Sequence, residues 1–194
     1  VFGAVSGANG TALWSRPLDS LDARLLPGTE GANFPFWSPD GKSVGFVAGG
    51  KLKRVDIAGG TPLVLGDSSA GGNASVGGAW NSEGVILFGG VEGLYRIPAS
   101  GGAPTLLTKT SGETAHGFPQ FLPDGKRFLY FAENPDPNVQ GVYASSLDRP
   151  QERKLVVRTA AKALYTPPLD GRPGYLLWMR EQTLFAQRFD AGNL

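Results

Sequence analysis

Residues 34–42 read FPFWSPDGK, and residues 118–126 read FPQFLPDGK. In both stretches an aromatic residue, Trp37 or Phe121, is followed by one residue and then by Pro-Asp-Gly-Lys. A weaker copy, GGAWNSEG, occupies residues 77–84, and the dipeptide Asp170-Gly171 marks a fourth. A second landmark, DIAGGTP at 56–62, returns as PASGGAP at 98–104. Two landmarks that share a period of about 40–45 residues indicate an internal repeat.

Each repeat unit has the pattern of four short strands. In the first complete unit, apolar residues alternate over 43–48 and 51–57, and dipeptides that contain glycine separate these segments. Asp-Gly favours a tight turn because glycine adopts positive φ without steric cost. No stretch has the periodicity of an amphipathic helix, so we expect almost no helix. The repeat therefore predicts an all-β fold, a β-propeller of four-stranded antiparallel blades.

The repeat also predicts how the blades divide the chain. Three complete blades are expected at about 34–65, 77–108 and 118–157, with partial blades at 1–27 and about 163–190. Residues 1–194 would then form a single propeller fragment with about 4.5 blades present. Both partial blades contain second and third strands, so they duplicate rather than complete each other. We expect an open arc or part of a larger ring, completed by missing blades or by a homo-oligomer.

The arc and its aromatic residues lead to two further expectations. The terminal blades of an isolated arc would expose apolar faces and strand edges, so the fragment should self-associate or be marginally stable. The aromatic side chains of the repeats should fill the spaces between blades. These residues are Phe36, Trp37, Phe46, Trp80, Phe88, Phe121, Tyr130 and Phe131.

Composition excludes several classes of function. The 18 Lys and Arg residues balance 17 Asp and Glu residues, and this net charge of +1 does not favour a nucleic-acid partner. The chain has no cysteine for disulfides or thiolate zinc sites, and one histidine excludes a multi-histidine metal centre within it. No apolar run approaches the length of a membrane span, so no direct membrane insertion is expected. The sequence predicts neither a metal site nor a cofactor.

The Pro-Asp-Gly copies, each with its preceding aromatic residue, resemble those of TolB-type, WD40-like β-propellers. The segments GKLKRVD at 50–56, GLYRI at 93–97 and YLLWMR at 175–180 are similar to the C-terminal propeller of bacterial receptor-like Ser/Thr protein kinases. The second copy departs from the pattern, with Glu83 in place of Asp and no Lys after Gly84. The resemblance implies an extracytoplasmic sensor or scaffold, periplasmic or at the cell surface, that binds a protein, a peptide or a small ligand without chemistry of its own.

We expect a ligand-binding face where the links between consecutive blades meet the long link after Glu133. The expected residues of this face are Glu30, Asn33, Asn73, Glu113, His116, Glu133, Asn134 and Asp136. His116, the one histidine, precedes an innermost strand, and it has three interpretations: a turn or packing residue, a ligand contact, or a general base. No partnered nucleophile is visible in the sequence, so no catalytic residue is predicted.

The Asp-Gly dipeptides are interpreted as structural turns. The residues concerned are Asp40, Gly41, Asp124, Gly125, Asp170 and Gly171. Calcium binding would require several oxygens that converge from one loop, whereas each turn offers one carboxylate. Glycine pairs such as Gly101-Gly102 lack the helix that a phosphate loop needs, so they are also interpreted as turns.

Three functions are compatible with the sequence. The favoured one is a non-catalytic binding module. The alternative is the gating propeller of a prolyl-oligopeptidase-type serine peptidase, which would require an α/β-hydrolase domain outside these residues. An enzymatic propeller such as a lactonase or glycosidase would require converging carboxylates or a metal cluster, and the acids here are scattered over turns.

Overall fold

The computed structural model describes residues 1–5, 10–68 and 76–193. These residues form eighteen β-strands, and the one helical element among them is a 3₁₀ turn at Ala191–Asn193. All pairings between neighbouring strands are antiparallel. The predicted all-β propeller of antiparallel blades is confirmed. Asn73, expected on the ligand-binding face, lies outside the described residues.

The strands build five sheets, and within each sheet the strands lie side by side in chain order. The first sheet holds β1 (Phe2–Val5), β2 (Thr11–Ser15) and β3 (Arg24–Leu25). The second holds β4 (Asn33–Trp37), β5 (Ser43–Ala48), β6 (Lys51–Asp56) and β7 (Leu63–Asp67). The third holds β8 (Gly78–Trp80), β9 (Val85–Phe88), β10 (Tyr95–Pro98) and β11 (Thr105–Leu106). The fourth holds β12 (Ala115–Phe121), β13 (Arg127–Glu133), β14 (Gly141–Ser146) and β15 (Lys154–Arg158). The fifth holds β16 (Ala163–Thr166), β17 (Tyr175–Arg180) and β18 (Thr183–Arg188).

Apolar side chains join each sheet to the next one along the chain. Leu13 of the first sheet packs with Phe46 of the second, and Leu52 of the second packs with Phe88 of the third. Further along, Leu87 packs with Tyr130, and a fourth cluster joins the fourth sheet to the fifth. Among the described residues no such cluster joins the fifth sheet to the first. The described sheets therefore stack in chain order through four apolar interfaces.

A repeated hydrogen bond identifies which strands the first sheet contains. The backbone N–H of Leu13 donates to Thr29 Oγ1 at 2.9 Å, and that of Leu94 donates to Thr108 Oγ1 at 2.9 Å. Both threonines are buried. Because Leu94 leads into β10, the third strand of its sheet, β2 is also a third strand. Within the described residues, the first sheet therefore holds the second, third and fourth strands of a blade.

The Asp-Gly dipeptides occupy turns of two kinds. The Asp40 carboxylate accepts hydrogen bonds from the Ser38 hydroxyl at 2.6 Å and the Lys42 N–H at 3.0 Å, and Gly41 has φ 67°. Asp124 accepts in the same way from the N–H groups of Lys126 and Arg127. At Asp170-Gly171 both residues have positive φ, 51° and 75°, and the flanking Leu169 and Arg172 pair with each other. This combination is typical of a type I′ hairpin turn.

Phe36 fixes the spacing between the second and third sheets. Its ring is buried in the cluster that joins them. Gly45 of the second sheet and Gly78 of the third sheet both approach the ring, and a Cβ at either glycine would overlap it. Neither glycine has positive φ, so steric space rather than backbone conformation requires glycine at both positions.

We expect Gly78→Ala to lower the free energy of unfolding by about 2 kcal/mol, because overpacked cores must distort to accept a methyl group. In a Phe36→Leu background the same substitution should cost much less, since the smaller side chain frees the space. Urea denaturation of the wild type, both single variants and the double variant measures this coupling. An equal cost of Gly78→Ala in both backgrounds would contradict the steric explanation.

Candidate functional site

The structure brings part of the expected ligand-binding face together. The Thr114 N–H donates to the Glu133 carbonyl at 2.8 Å, and Asn134 Nδ2 donates to the Gly112 carbonyl at 3.2 Å. The loop at 134–140 is therefore fastened to the link that precedes β12. Asp136 orders this loop, because its carboxylate accepts the Asn138 N–H at 2.9 Å.

Three other residues of this face, Glu30, Asn33 and Glu133, are exposed. Glu30 and Asn33 lie where the chain enters β4 and are exposed, and the Asn33 amide donates to the nearby Gly31 carbonyl. Glu133 is exposed at the end of β13. These residues lie at the ends of the strands, where recognition loops usually gather.

Glu113 and His116 require a correction, because the structure places both side chains in the interior instead of on the face. Each is 1% exposed. The backbone of His116 pairs with Gly90 of the third sheet in both directions, at 2.9 and 3.0 Å. This pairing pulls the start of β12 inward against the third sheet. Residues ahead of a strand are usually exposed, and the sequence contains no sign of this inter-sheet pairing.

The two buried side chains belong to a polar cluster between the third and fourth sheets. Thr108 Oγ1 lies 2.8 Å from His116 Nδ1, and Glu113 Oε2 lies 3.9 Å from His116 Nε2. Glu113 also forms an ion pair with Arg153 at 2.5 Å, and the Arg153 guanidinium stacks over the Tyr143 ring at 4.8 Å. The cluster thus ties the link before β12 to the outer strands of the fourth sheet.

The hydroxyl, imidazole and carboxylate of this cluster follow one another in the order of a catalytic triad. Their burial and their other hydrogen bonds, however, indicate a structural role. Thr108 is 2% exposed, and its oxygen already accepts the Leu94 N–H. Thr29 makes the equivalent bond to Leu13 in the first sheet, where its hydroxyl donates to the Leu26 carbonyl instead. The hydroxyl therefore has a packing role in both sheets, and substrate cannot reach it.

Burial sets the protonation of the cluster. Burial lowers the pKa of His116 to about 4. The Glu113 carboxylate has the opposite effect, but it is too weak to return this pKa to its usual value. Burial by itself would raise the pKa of Glu113. The Ser111 N–H and the Arg153 guanidinium outweigh that effect and lower the pKa overall. At neutral pH the cluster holds a neutral imidazole beside a carboxylate that is already paired.

A cavity of about 1000 Å³ lies where the first strands of four sheets converge. Its walls come from β4, β8, β12 and β16, and they extend onto β17 and β18 of the fifth sheet. Aromatic side chains dominate the lining. They are Phe34, Phe36, Trp37, Trp80, Phe118, Phe121 and Trp178.

The cavity corrects part of the expectation that aromatic residues fill the spaces between blades. Phe36, Phe46, Phe88 and Tyr130 do occupy the apolar clusters. Trp37 does not, because its side chain is 46% exposed and lines the cavity. Phe34 and Phe118 also line the cavity, and the repeat pattern gives no sign of either position.

A repeated backbone irregularity brings these aromatic residues into the cavity. Phe34, Gly77 and Phe118 occupy equivalent places in three repeats and have φ of 51°, 73° and 50°. The pairing register of β4 shifts after Asn33, and that of β12 shifts after Gly117. In a regular strand, residues three apart lie on opposite faces. A bulge between them interrupts this alternation, so the side chains of Phe34 and Trp37 both line the cavity.

The two phenylalanines form a pair beside a single cation. The rings of Phe34 and Phe118 meet edge to face, with centroids 6.2 Å apart. Lys162 Nζ lies 4.5 Å from the centroid of Phe118. Positive φ is costly for a residue with a bulky side chain, and such strain is concentrated at functional sites. Lys162 was not among the predicted residues, and no repeated motif marks it.

Two further properties bear on function. No group of three or more His, Cys, Asp or Glu residues within the described ranges could hold a metal ion. Over the same ranges, no helix is long and apolar enough to cross a membrane.

Comparison with known proteins agrees with the fold. No family profile matches the chain. It is 30% identical over 132 residues to the uncharacterized protein Atu1656 of Agrobacterium fabrum, a match that covers 62% of this chain and 42% of that protein. The chain thus spans less than half of this relative.

Two solved structures are similar in fold at low sequence identity. A TolB candidate from Agrobacterium tumefaciens superposes with a TM-score of 0.61 at 21% identity, over 86% of this chain and 62% of that one. The oligogalacturonate lyase of Vibrio parahaemolyticus gives a TM-score of 0.65 at 15% identity, over 91% of this chain and 55% of that one. These likenesses support the propeller fold, and the chain spans under two thirds of either protein.

The buried imidazole predicts a specific dependence of stability on pH. The folded state binds the His116 proton only near pH 4, whereas the unfolded chain binds it near pH 6.5. Acid therefore favours the unfolded state, and the free energy of unfolding should fall by about 1.4 kcal/mol per pH unit between these values. We expect a loss of about 3 kcal/mol across the window.

Chemical denaturation at pH 7.0, 6.0 and 5.0 tests this expectation. His116→Asn keeps an acceptor near Thr108 but cannot titrate, so its free energy of unfolding should be nearly constant over the same range. A wild type whose stability does not change between pH 6.5 and 5 would contradict the depressed pKa.

Proposed function

We propose that this chain is a non-catalytic β-propeller binding module whose ligand occupies the central cavity. The observation that carries the proposal is the aromatic lining contributed by the first strands of three sheets and by Trp178 of the fifth sheet. The volume, about 1000 Å³, lies at the upper end of the range for small-molecule and peptide sites. Partly exposed aromatic rings are also the side chains that contribute most to recognition.

Burial of the polar cluster supports binding over catalysis. The one imidazole of the chain is buried away from the cavity lining, and its neighbouring hydroxyl and carboxylate are occupied by other contacts. The lining itself contains no carboxylate among the described residues. A pair of carboxylates, as in glycosidases, is therefore not available from the described part of the cavity.

The wider role proposed for the module follows the resemblance of the repeats. A propeller attached to a receptor-like kinase would serve as an extracytoplasmic sensor or scaffold, with a protein, a peptide or a small molecule as its ligand. In the gating alternative, the propeller of a serine peptidase, the cavity would be a passage for peptides. A passage differs from a binding site because it need not hold its contents at a defined place.

Saturable binding of a neutral aromatic probe, N-phenyl-1-naphthylamine, tests the cavity as a site. Phe34→Gly removes an exposed ring and is expected to fold, because Gly77 already occupies the equivalent place in the third sheet with positive φ. We expect one-site fluorescence titration, with affinity lowered about fivefold to tenfold in Phe34→Gly.

Leu63→Ala is the matched control, since Leu63 is 50% exposed and lies outside the cavity. It should bind the probe like the wild type. Binding that does not saturate, or that Phe34→Gly and Leu63→Ala weaken equally, would overturn the proposal and leave the passage interpretation.

A further inference from the structure

We infer that the cavity accepts a ligand that combines a flat apolar ring with a negatively charged group, and that Lys162 recognises the charge. The inference rests on the proposed function, because it concerns the same cavity. It names the chemical class of the ligand, which neither the sequence nor the comparisons provide.

Lys162 is the one charged residue among the described residues that line the cavity. The other candidate for polar recognition is Gln120, and its amide is already occupied. Gln120 Nε2 donates to the Tyr165 carbonyl at 2.9 Å, and its Oε1 accepts the Tyr165 N–H at 2.8 Å. The ammonium of Lys162 is therefore the main polar side-chain group that can bind a ligand in the cavity.

The position of Lys162 leaves its charge available. Its Nζ lies over the face of Phe118, an arrangement that orients the ammonium without neutralising it. Within the described ranges Lys162 forms no salt bridge with a carboxylate. Lys162 is exposed, so a ligand in the open cavity can reach its charge from solvent, and no acidic neighbour among the described residues competes for it there.

The neighbouring rings define the rest of the ligand. The edge-to-face contact between Phe34 and Phe118 holds one ring beside the ammonium, and Phe34 is 40% exposed toward the cavity. A planar apolar group can stack on the exposed ring while an attached carboxylate or sulfonate reaches Lys162. Charge-assisted hydrogen bonds of this kind are stronger than neutral ones, so the anionic ligand gains an increment that a neutral analogue lacks.

Two probes with one ring skeleton test the inference. 8-Anilinonaphthalene-1-sulfonate carries a sulfonate that N-phenyl-1-naphthylamine lacks, so any difference in affinity reports on the charge. We expect the wild type to bind the sulfonate about tenfold more tightly, and this advantage should shrink as salt concentration rises. Affinity for the neutral probe should hardly depend on salt.

Lys162→Gln should abolish the advantage of the sulfonate and leave the affinity for the neutral probe unchanged. Lys42→Gln is the matched control, because Lys42 is exposed on a Pro-Asp-Gly turn and does not line the cavity. Phe34→Gly should weaken the binding of both probes, which assigns both to the cavity and not to apolar surface elsewhere.

The outcomes separate the inference from the proposed function. If Phe34→Gly weakens both probes but Lys162→Gln leaves the sulfonate unaffected, or the sulfonate binds no more tightly than the neutral probe, the role of Lys162 is overturned and the cavity remains a binding site. If Phe34→Gly affects neither probe, the proposed function itself fails, and with it this inference.

Discussion

No sheet in this chain can bury both of its faces by itself, and that constraint organises the whole structure. A sheet of three or four short strands has two sides, and Leu52 and Phe46 illustrate them by packing toward the third and the first sheet respectively. Burial of such side chains contributes roughly 1.5–3 kcal/mol each, so every sheet gains most from a neighbour on either side. Stacking in chain order satisfies this requirement at four interfaces.

The stack also determines where binding chemistry can be located. Because equivalent strands face the same direction in every sheet, β4, β8, β12 and β16 converge on one cavity. Polar groups that enter an inter-sheet interface are costly unless they are paired, and there Arg153 pairs with the Glu113 carboxylate and Thr108 meets Nδ1 of His116. Aromatic residues that enter the cavity remain partly exposed. The same architecture thus produces a buried structural cluster and an open aromatic cavity a few residues apart on β12 and the link before it.

Much of the fold could be predicted because the same strand and turn pattern occurs in several copies along the chain. The turn at Asp40-Gly41 recurs at Asp124-Gly125 with the same hydrogen-bond pattern, so each copy supports the interpretation of the other. The cavity could not be predicted in this way. Its aromatic residues depend on a bulge at Phe34 and Phe118, and the sequence there shows phenylalanine before proline, which predicts extended backbone instead of positive φ.

The sequence also contains no indication that side chains in the links between sheets are buried. Residues 111–114 have the composition of an exposed turn, yet the Glu113 carboxylate is drawn inside by Arg153, a residue far away in the chain. Lys162 has no counterpart in the other copies, since no lysine or arginine among the described residues lines the cavity from β4, β8 or β12. Pattern recognition finds what the repeats share, whereas these residues are where the repeats differ.

Part of the cavity lining is separate from the apolar clusters that hold the sheets together. Phe34, Trp37 and Lys162 contribute to none of the four clusters. Substitutions at these positions can therefore accumulate without passing through unstable intermediates. Over evolutionary time, such a scaffold is free to exchange one specificity for another, and related propellers with the same turns and cores need not share a ligand.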